Sequence, residues 1–408
     1  MKKVDVLFSA HLNSIIGPVQ TLKRIISNYL FFYKNGFDLT LYTLDNPRGT
    51  QVIASNQIVS VAKRSQSYFV KKIKEFARFL AQHSYIYDRF RVNALINAPK
   101  KFINNYIAQG HEADIIVFHY IYDCYNYILY QKELKARIVL FIHADSTDNS
   151  MLLDYFPRVR GTNVEKRLAM INEFVLSKVD KVVSISKIAA KNFLEEVPGL
   201  RGRIDVVVNG IDDISSEQLK YVEDKKKGVY EKKYRLISCG SINGRKGQWI
   251  VIEALNRLPE NVKKEFSYTI VGDGPQRITL EDKVKEYGLD SVYFVGSIPN
   301  VEVYRYLAEA NIAILMSNNE GLPLSLIEAL RCGLAGISTR VAGIPEVIIE
   351  GYNGLLMQPD PEQLREALSH ANDYDWEDMG RKSRKLYEEQ YTFDRMKIDY
   401  LNMLKSLI

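Results

Sequence analysis

The chain has 408 residues, 46% of them hydrophobic and 25% charged, with a formal net charge of +6. That length exceeds one ordinary core and suits two α/β domains, and the composition excludes disordered, collagen-like and disulfide-scaffold classes. The cysteines Cys124, Cys239 and Cys332 are too scattered for a metal-ligand spacing and predict reduced thiols in a cytoplasmic protein.

Lys2 and Lys3 precede a short apolar run at residues 4–10 that contains Asp5. The run is too short and too polar for a signal-peptide core and predicts a buried first strand. No stretch reaches the ~18 uncharged residues of a spanning helix; the most apolar one, residues 115–130, is interrupted by His119 and Asp123. Strand-like runs in the first half are VDVLFSA, FDLTLYTL, DIIVFHY, RIVLFIHA, KVVSIS and IDVVVNG. Those in the second half are YRLISCG, FSYTIVG, VYFVGSI, IAILMS, AGISTRV and NGLLMQ. Helical patterns at 247–258, 276–287 and 301–310 separate them, the alternation expected of parallel sheets with crossover helices. The predicted fold class is therefore α/β, two Rossmann-like doubly wound domains facing a cleft. The first domain is expected at 1–210, a polar linker at 211–233 and the second domain at 234–392. A last helix at 393–408 spaces Phe393, Met396, Tyr400, Met403 and Leu407 at helical intervals.

Charge is unevenly distributed. Residues 56–110 carry ten cations and two acids, hence +8, which leaves −2 for the remainder of the +6 chain. On a helical wheel Phe69, Ile73, Phe76 and Leu80 fall within a narrow stripe, with Lys63, Arg64, Lys71, Lys74 and Arg78 roughly opposite. Either this is a solvated outer face, or residues 63–101 dock on an anionic membrane surface. The chain is then cytoplasmic and peripheral at the inner face of the membrane.

The densest signal is Ser317-Asn318-Asn319-Glu320-Gly321-Leu322-Pro323-Leu324-Ser325-Leu326-Ile327-Glu328-Ala329-Leu330, directly after the run IAILMS. It falls at the carboxyl end of a parallel strand, where open α/β sheets bind ligands. Gly321 permits close approach of the backbone, Pro323 suits a first helical turn, and Gly333 fits the position past the helix end. Unpaired N–H groups around Gly321, Leu324 and Ser325 make a diphosphate site. Glu320 sits before the helix and Glu328 two turns inside, available for sugar and ribose hydroxyls. A second element, Cys239-Gly240-Ser241-Ile242-Asn243-Gly244-Arg245-Lys246-Gly247, is a glycine-rich turn with two adjacent cations suited to a departing diphosphate. It is no Walker A loop, because Gly247 follows Lys246. An ordinary βα turn with solvated cations is the plainer alternative.

Together these residues resemble family 4 of the retaining glycosyltransferases, of GT-B fold. Val271-Gly272-Asp273-Gly274-Pro275, Ala342-Gly343-Ile344-Pro345-Glu346, Asn353-Gly354-Leu355-Leu356 and the hinge Asn209-Gly210-Ile211-Asp212 extend the match over nearly the whole chain. The resemblance implies that Arg245 and Lys246 contact the donor diphosphate, Glu328 the ribose and Glu320 the transferred sugar. It also implies that the last helix crosses back to the first domain. Ser241 departs from it, standing where many members carry arginine; Arg245 can supply that charge. Similar proteins place a loop like 9–20, with Gly17 opening a helix, at the donor phosphate. They also place a histidine like His143 near the donor sugar, so His143 and Glu320 are the catalytic candidates. His11 and His119 are weaker ones.

The expected activity is transfer from a UDP- or GDP-sugar to a hydroxyl of a glycan or lipid-linked acceptor in bacterial surface glycan synthesis, with retained configuration. No cofactor and no metal are expected: Asp373-Tyr374-Asp375 does not follow a buried strand and reads as solvated surface. Nucleic acid is not an expected partner. The alternatives are an epimerase or phosphorylase on the same architecture, or a degenerate member that only binds partners or glycans.

Overall fold

A computed structural model describes residues 1–12, 17–51, 84–143 and 149–408. The chain splits into two compact units. The first comprises Met1–Ile185, Ala190–Val207 and Tyr400–Ile408, the second Ser186–Ala189 and Val208–Asp399. All twelve apolar runs form strands, because each is short and flanked by turn residues, and most carry β-branched or aromatic side chains.

In the first unit β1 (Lys2–Phe8), β2 (Phe37–Thr43), β3 (Ile115–Phe118), β4 (Arg137–Ile142), β5 (Lys181–Ser184) and β6 (Ile204–Val206) lie in the order β2-β1-β3-β4-β5-β6. In the second, β7 (Tyr234–Cys239), β8 (Phe266–Val271), β9 (Val292–Gly296), β10 (Ile312–Leu315), β11 (Ala335–Thr339) and β12 (Gly354–Met357) lie in the order β12-β11-β10-β7-β8-β9. Every ladder is parallel. Sheets covered by helices on both faces bury both sides of a strand, so β3 and β10 read as unbroken apolar IIVF and IAIL and are buried throughout. In each sheet the order reverses once, between β1 and β3 and between β10 and β7. Open α/β sheets bind ligands at that reversal.

The polar segment 211–233 holds a helix, Ser216–Lys226, rather than a featureless linker. Ser215 and Gln218 form a reciprocal capping box at its start, and Val222 is its one buried side chain. Its composition is polar because most of its surface meets water. The final helix, Phe393–Lys405, buries Phe393, Met396, Tyr400 and Met403 as its spacing predicts, although Leu404 rather than Leu407 completes the stripe. Tyr400 and the residues after it group with the first unit, where its ring packs at 5.7 Å from Phe32 and 5.3 Å from Phe141. The helical stripe expected at Phe69, Ile73, Phe76 and Leu80 and the cations opposite it lie outside the described residues.

Candidate functional site

The second unit assembles its site from the loops that leave β7 and β10, the two strands flanking the reversal. Gly247 closes the first loop at φ +71°, where an added Cβ would come within 1.9 Å of the Met316 carbonyl oxygen. Only glycine lets this loop lie against the end of β10. Gly272, at φ +141°, is pressed equally close to the Gly240 carbonyl. The loops are then stitched together. The Asn318 N–H and the Ser317 hydroxyl both donate to the Arg245 carbonyl, at 2.9 and 2.8 Å, and Thr339 Oγ1 donates to the Ser317 carbonyl at 2.6 Å.

This scaffold brings Glu320, Arg245 and Lys246 together. Glu320 Oε1 lies 2.8 Å from Arg245 Nη1 and 2.7 Å from Lys246 Nζ, and shares the Ser317 hydroxyl proton with the Arg245 carbonyl, at 2.9 Å from Ser317 Oγ. Arg245 Nη1 also donates to the Asn319 carbonyl at 2.6 Å. Glu320 is only 7% exposed. Burial alone would raise its pKa, but Lys246 and Arg245 outweigh burial and hold the carboxyl below its ordinary value. Two cations against one carboxylate leave a net +1 at the switch point, a receptive field for a diphosphate. Around it, Asn319 Oδ1, Gln248 Oε1 and Gln276 Oε1 are buried acceptors with no hydrogen-bond partner among the described residues, ready for N–H or O–H donors.

The helix after β10 runs Leu324–Arg331 with Pro323 as its N-cap, so the first helical N–H groups belong to Leu324 and Ser325. Gly321 sits in the loop just before. Gly333, at φ +65°, follows the helix end as its sequence position predicts. Glu328 stands one turn inside the helix, not two, because the helix begins at Leu324. It is partly exposed, and its charge adds to the burial that pushes the Cys239 thiol up. Asp375 of the Asp-x-Asp element is an exposed N-cap, accepting from the Asp378 N–H at 2.9 Å. No group of three or more His, Cys, Asp or Glu is placed to hold a metal ion among the described residues.

Gly17 and His143 belong to the first unit. Gly17 opens the helix Gly17–Ser27 directly after the undescribed residues 13–16. His143 follows β4, and its Nε2 lies 3.0 Å from Nδ1 of His119, which follows β3. Beside them, after β1, the Ser9 N–H and hydroxyl both donate to the buried carboxyl of Asp123, at 2.8 and 2.5 Å. Burial raises Asp123 to about 7 despite the Ser9 bonds. His11 stays at the surface, with Nδ1 2.5 Å from Asp45. Sequence reasoning missed the Ser9–Asp123 pair and ranked His119 low, since strand order alone brings the ends of β1, β3 and β4 together.

Two six-stranded parallel sheets with crossover helices and loop-borne sites at the strand ends define a protein of GT-B architecture. Residues 220–391 match the family model of glycosyl transferases group 1, so the chain carries a group 1 glycosyltransferase domain in its second unit. The chain is 27% identical over 327 residues to an uncharacterized glycosyltransferase of Methanocaldococcus jannaschii, across 74% of this chain and 82% of the other. It is 24% identical over 307 residues to a phosphatidylinositol N-acetylglucosaminyltransferase chain of Arabidopsis thaliana, covering 73% of this chain and 62% of that one. Among solved structures, Anabaena Alr3699/HepE in complex with UDP-glucose superposes over the full length of both chains with a TM-score of 0.69 and 15% identity.

Proposed function

We propose that this protein transfers a sugar from a UDP- or GDP-sugar to a hydroxyl of a glycan or lipid-linked acceptor, with retention of configuration and without a metal ion. The cluster of Arg245, Lys246 and Glu320 at the β7–β10 reversal carries this reading. In it, Arg245, Lys246 and the N–H groups of Leu324 and Ser325 receive the diphosphate and stabilise its growing charge as the glycosidic bond breaks. The recorded contacts of Glu320 all use Oε1, and Oε2 is the oxygen assigned to sugar hydroxyls. Glu328 is assigned to the ribose. Gly17 and His143 are assigned to the donor phosphate and sugar, by resemblance. UDP-glucose in the Anabaena structure supports the donor class, and the phosphatidylinositol acceptor named for the Arabidopsis relative supports a lipid-linked acceptor.

A thermal-shift panel of nucleotide sugars tests the assignment, since a ligand at a hundred times its dissociation constant adds ~2.7 kcal/mol. One UDP- or GDP-sugar should shift the melting curve, and its slow hydrolysis should persist in EDTA. Complete loss in chelator, restored by manganese, would remove the metal-free mechanism. A product of inverted configuration, read by proton NMR of the new linkage, would remove retention.

A further inference from the structure

His119 and His143 meet for a geometric reason. β3 and β4 pair in parallel with Phe118 opposite Leu140, so His119 falls beside Phe141, and His143 shares a face with Phe141 two residues on. The His119 ring stacks on Phe141 at 4.5 Å and lies edge to edge with His143, the two ring planes 27° apart and the centroids 5.2 Å apart. It is 3% exposed, and its Nε2 is buried without a hydrogen-bond partner among the described residues. Both rings are neutral near pH 7, because burial pushes His119 well down and His143 to about 4.

Two neutral imidazoles 3.0 Å apart share one proton between the facing nitrogens, which leaves two arrangements. If His143 Nε2 held that proton, His119 would carry its own on Nε2, an orphaned donor in an apolar site. Buried orphan N–H groups are rare, and each costs more than an unfilled lone pair. If His119 Nδ1 holds the proton, only a lone pair is orphaned. The ordinary preference of imidazole for the Nε2–H form opposes this arrangement and is the smaller effect.

We infer that His119 is a positioning residue that donates from Nδ1 and fixes His143 as the Nδ1–H tautomer, so that His143 offers a hydrogen-bond donor, not a base, at the carboxyl end of the first sheet. His143 is partly exposed, and its remaining nitrogen therefore suits a substrate oxygen, such as a sugar hydroxyl. This last step rests on the sugar-transfer reading; the tautomer does not.

Ring 15N spectra of histidine-labelled protein without ligand test it, with signals assigned by His119→Asn and His143→Asn. Wild type should show His143 protonated on Nδ1 in roughly tenfold excess or more. His119→Asn keeps an N–H in place of Nδ1 and should preserve that pattern, whereas His119→Leu should return His143 to mainly Nε2–H. An Nε2–H ring on wild-type His143, or an unchanged pattern in the leucine variant, overturns the proposal. Hydrolysis of the sugar nucleotide selected by the thermal panel should fall roughly three- to tenfold in kcat for His119→Leu, with KM little changed, and recover in His119→Asn. A full rate in a leucine variant with the switched tautomer overturns the donor role of His143. The spectra need no substrate, so they stand or fall separately from sugar transfer.

Discussion

Glu320 is a buried carboxylate whose ionisation depends on two neighbours, and this sets opposite expectations for its removal and theirs. If Arg245 and Lys246 hold the diphosphate as proposed, Lys246→Ala or Arg245→Ala removes a charged contact worth about 1.5–3 kcal/mol, and kcat/KM should fall roughly ten- to 150-fold. Glu320→Gln instead leaves both cations uncompensated. The variant should bind UDP or GDP at least as tightly as wild type in calorimetry while transfer is lost, and its melting temperature should drop because the cations then repel. Loss of nucleotide affinity in Glu320→Gln would mean the carboxylate does not balance the pair. Asp123 gives a pH signature in the first unit. Its folded pKa, about 7, lies above the unfolded value near 3.8, so the native state holds the extra proton between those values. Stability from this group is full below pH 3.8 and is lost as pH rises through 7, by about 2–4 kcal/mol. In denaturant unfolding, the stability of wild type relative to Asp123→Asn should fall by that amount between pH 4.5 and pH 8. Comparing the two cancels the opposite slopes of His143 and His119, whose depressed pKa values cost stability as pH falls below 6.5.

Loops are held to strands here by contacts too close for any side chain. Gly247→Ala places a Cβ within 1.9 Å of the Met316 carbonyl at a left-handed φ, and either the loop or β10 must move. The cost should be on the order of 3 kcal/mol or more. Thermal melting of the variant checks it; a wild-type melting temperature would show that the loop does not sit against β10. This dependence also explains what was legible in advance. All twelve strands were readable as short apolar runs, continuous in central strands such as β3 and β10 and alternating with polar residues in β2 and β8, and the motif glycines mark turns that follow them. The Arg245–Lys246–Glu320 cluster was legible as two separate loops; its joining follows from β7 lying beside β10, which no local pattern encodes. The helix Ser216–Lys226 announced itself only through its cap, Ser215 with Gln218, while its exposed faces imitated a linker. The depth of Glu328 was misjudged by about a turn: the helix begins at Leu324, four residues before it. The His119–His143 contact joins neighbouring strands at their ends and was hidden for the same reason as the cluster.

At the scale of the molecule the notable asymmetry is charge: residues 56–110 carry +8 in a chain of net +6. No helix among the described residues is long and apolar enough to cross a membrane. Within the described part of the block, the helix Tyr85–Asn97 exposes Ile86 at 76% and Phe90 at 68%. Arg89, Arg91, Lys100 and Lys101 are exposed nearby. Exposed apolar side chains among cations have a use at a lipid headgroup boundary, where the apolar groups insert and the cations meet phosphate. Each cation near an anionic surface contributes about 1 kcal/mol, and the attraction is screened beyond ~8–10 Å at physiological ionic strength. The protein should therefore sediment with vesicles containing phosphatidylserine at low salt, and less so at 0.5 M salt. Changing Lys63, Arg64, Lys71, Lys74 and Arg78 to glutamate should abolish sedimentation while nucleotide binding in the second unit is unchanged. Ile86→Ser with Phe90→Ser should weaken it even at low salt, where charge alone would suffice if insertion were unimportant. A wild type that ignores anionic vesicles at low salt would reduce the block to a solvated face, and a lipid-linked acceptor would then have to reach the protein by other means.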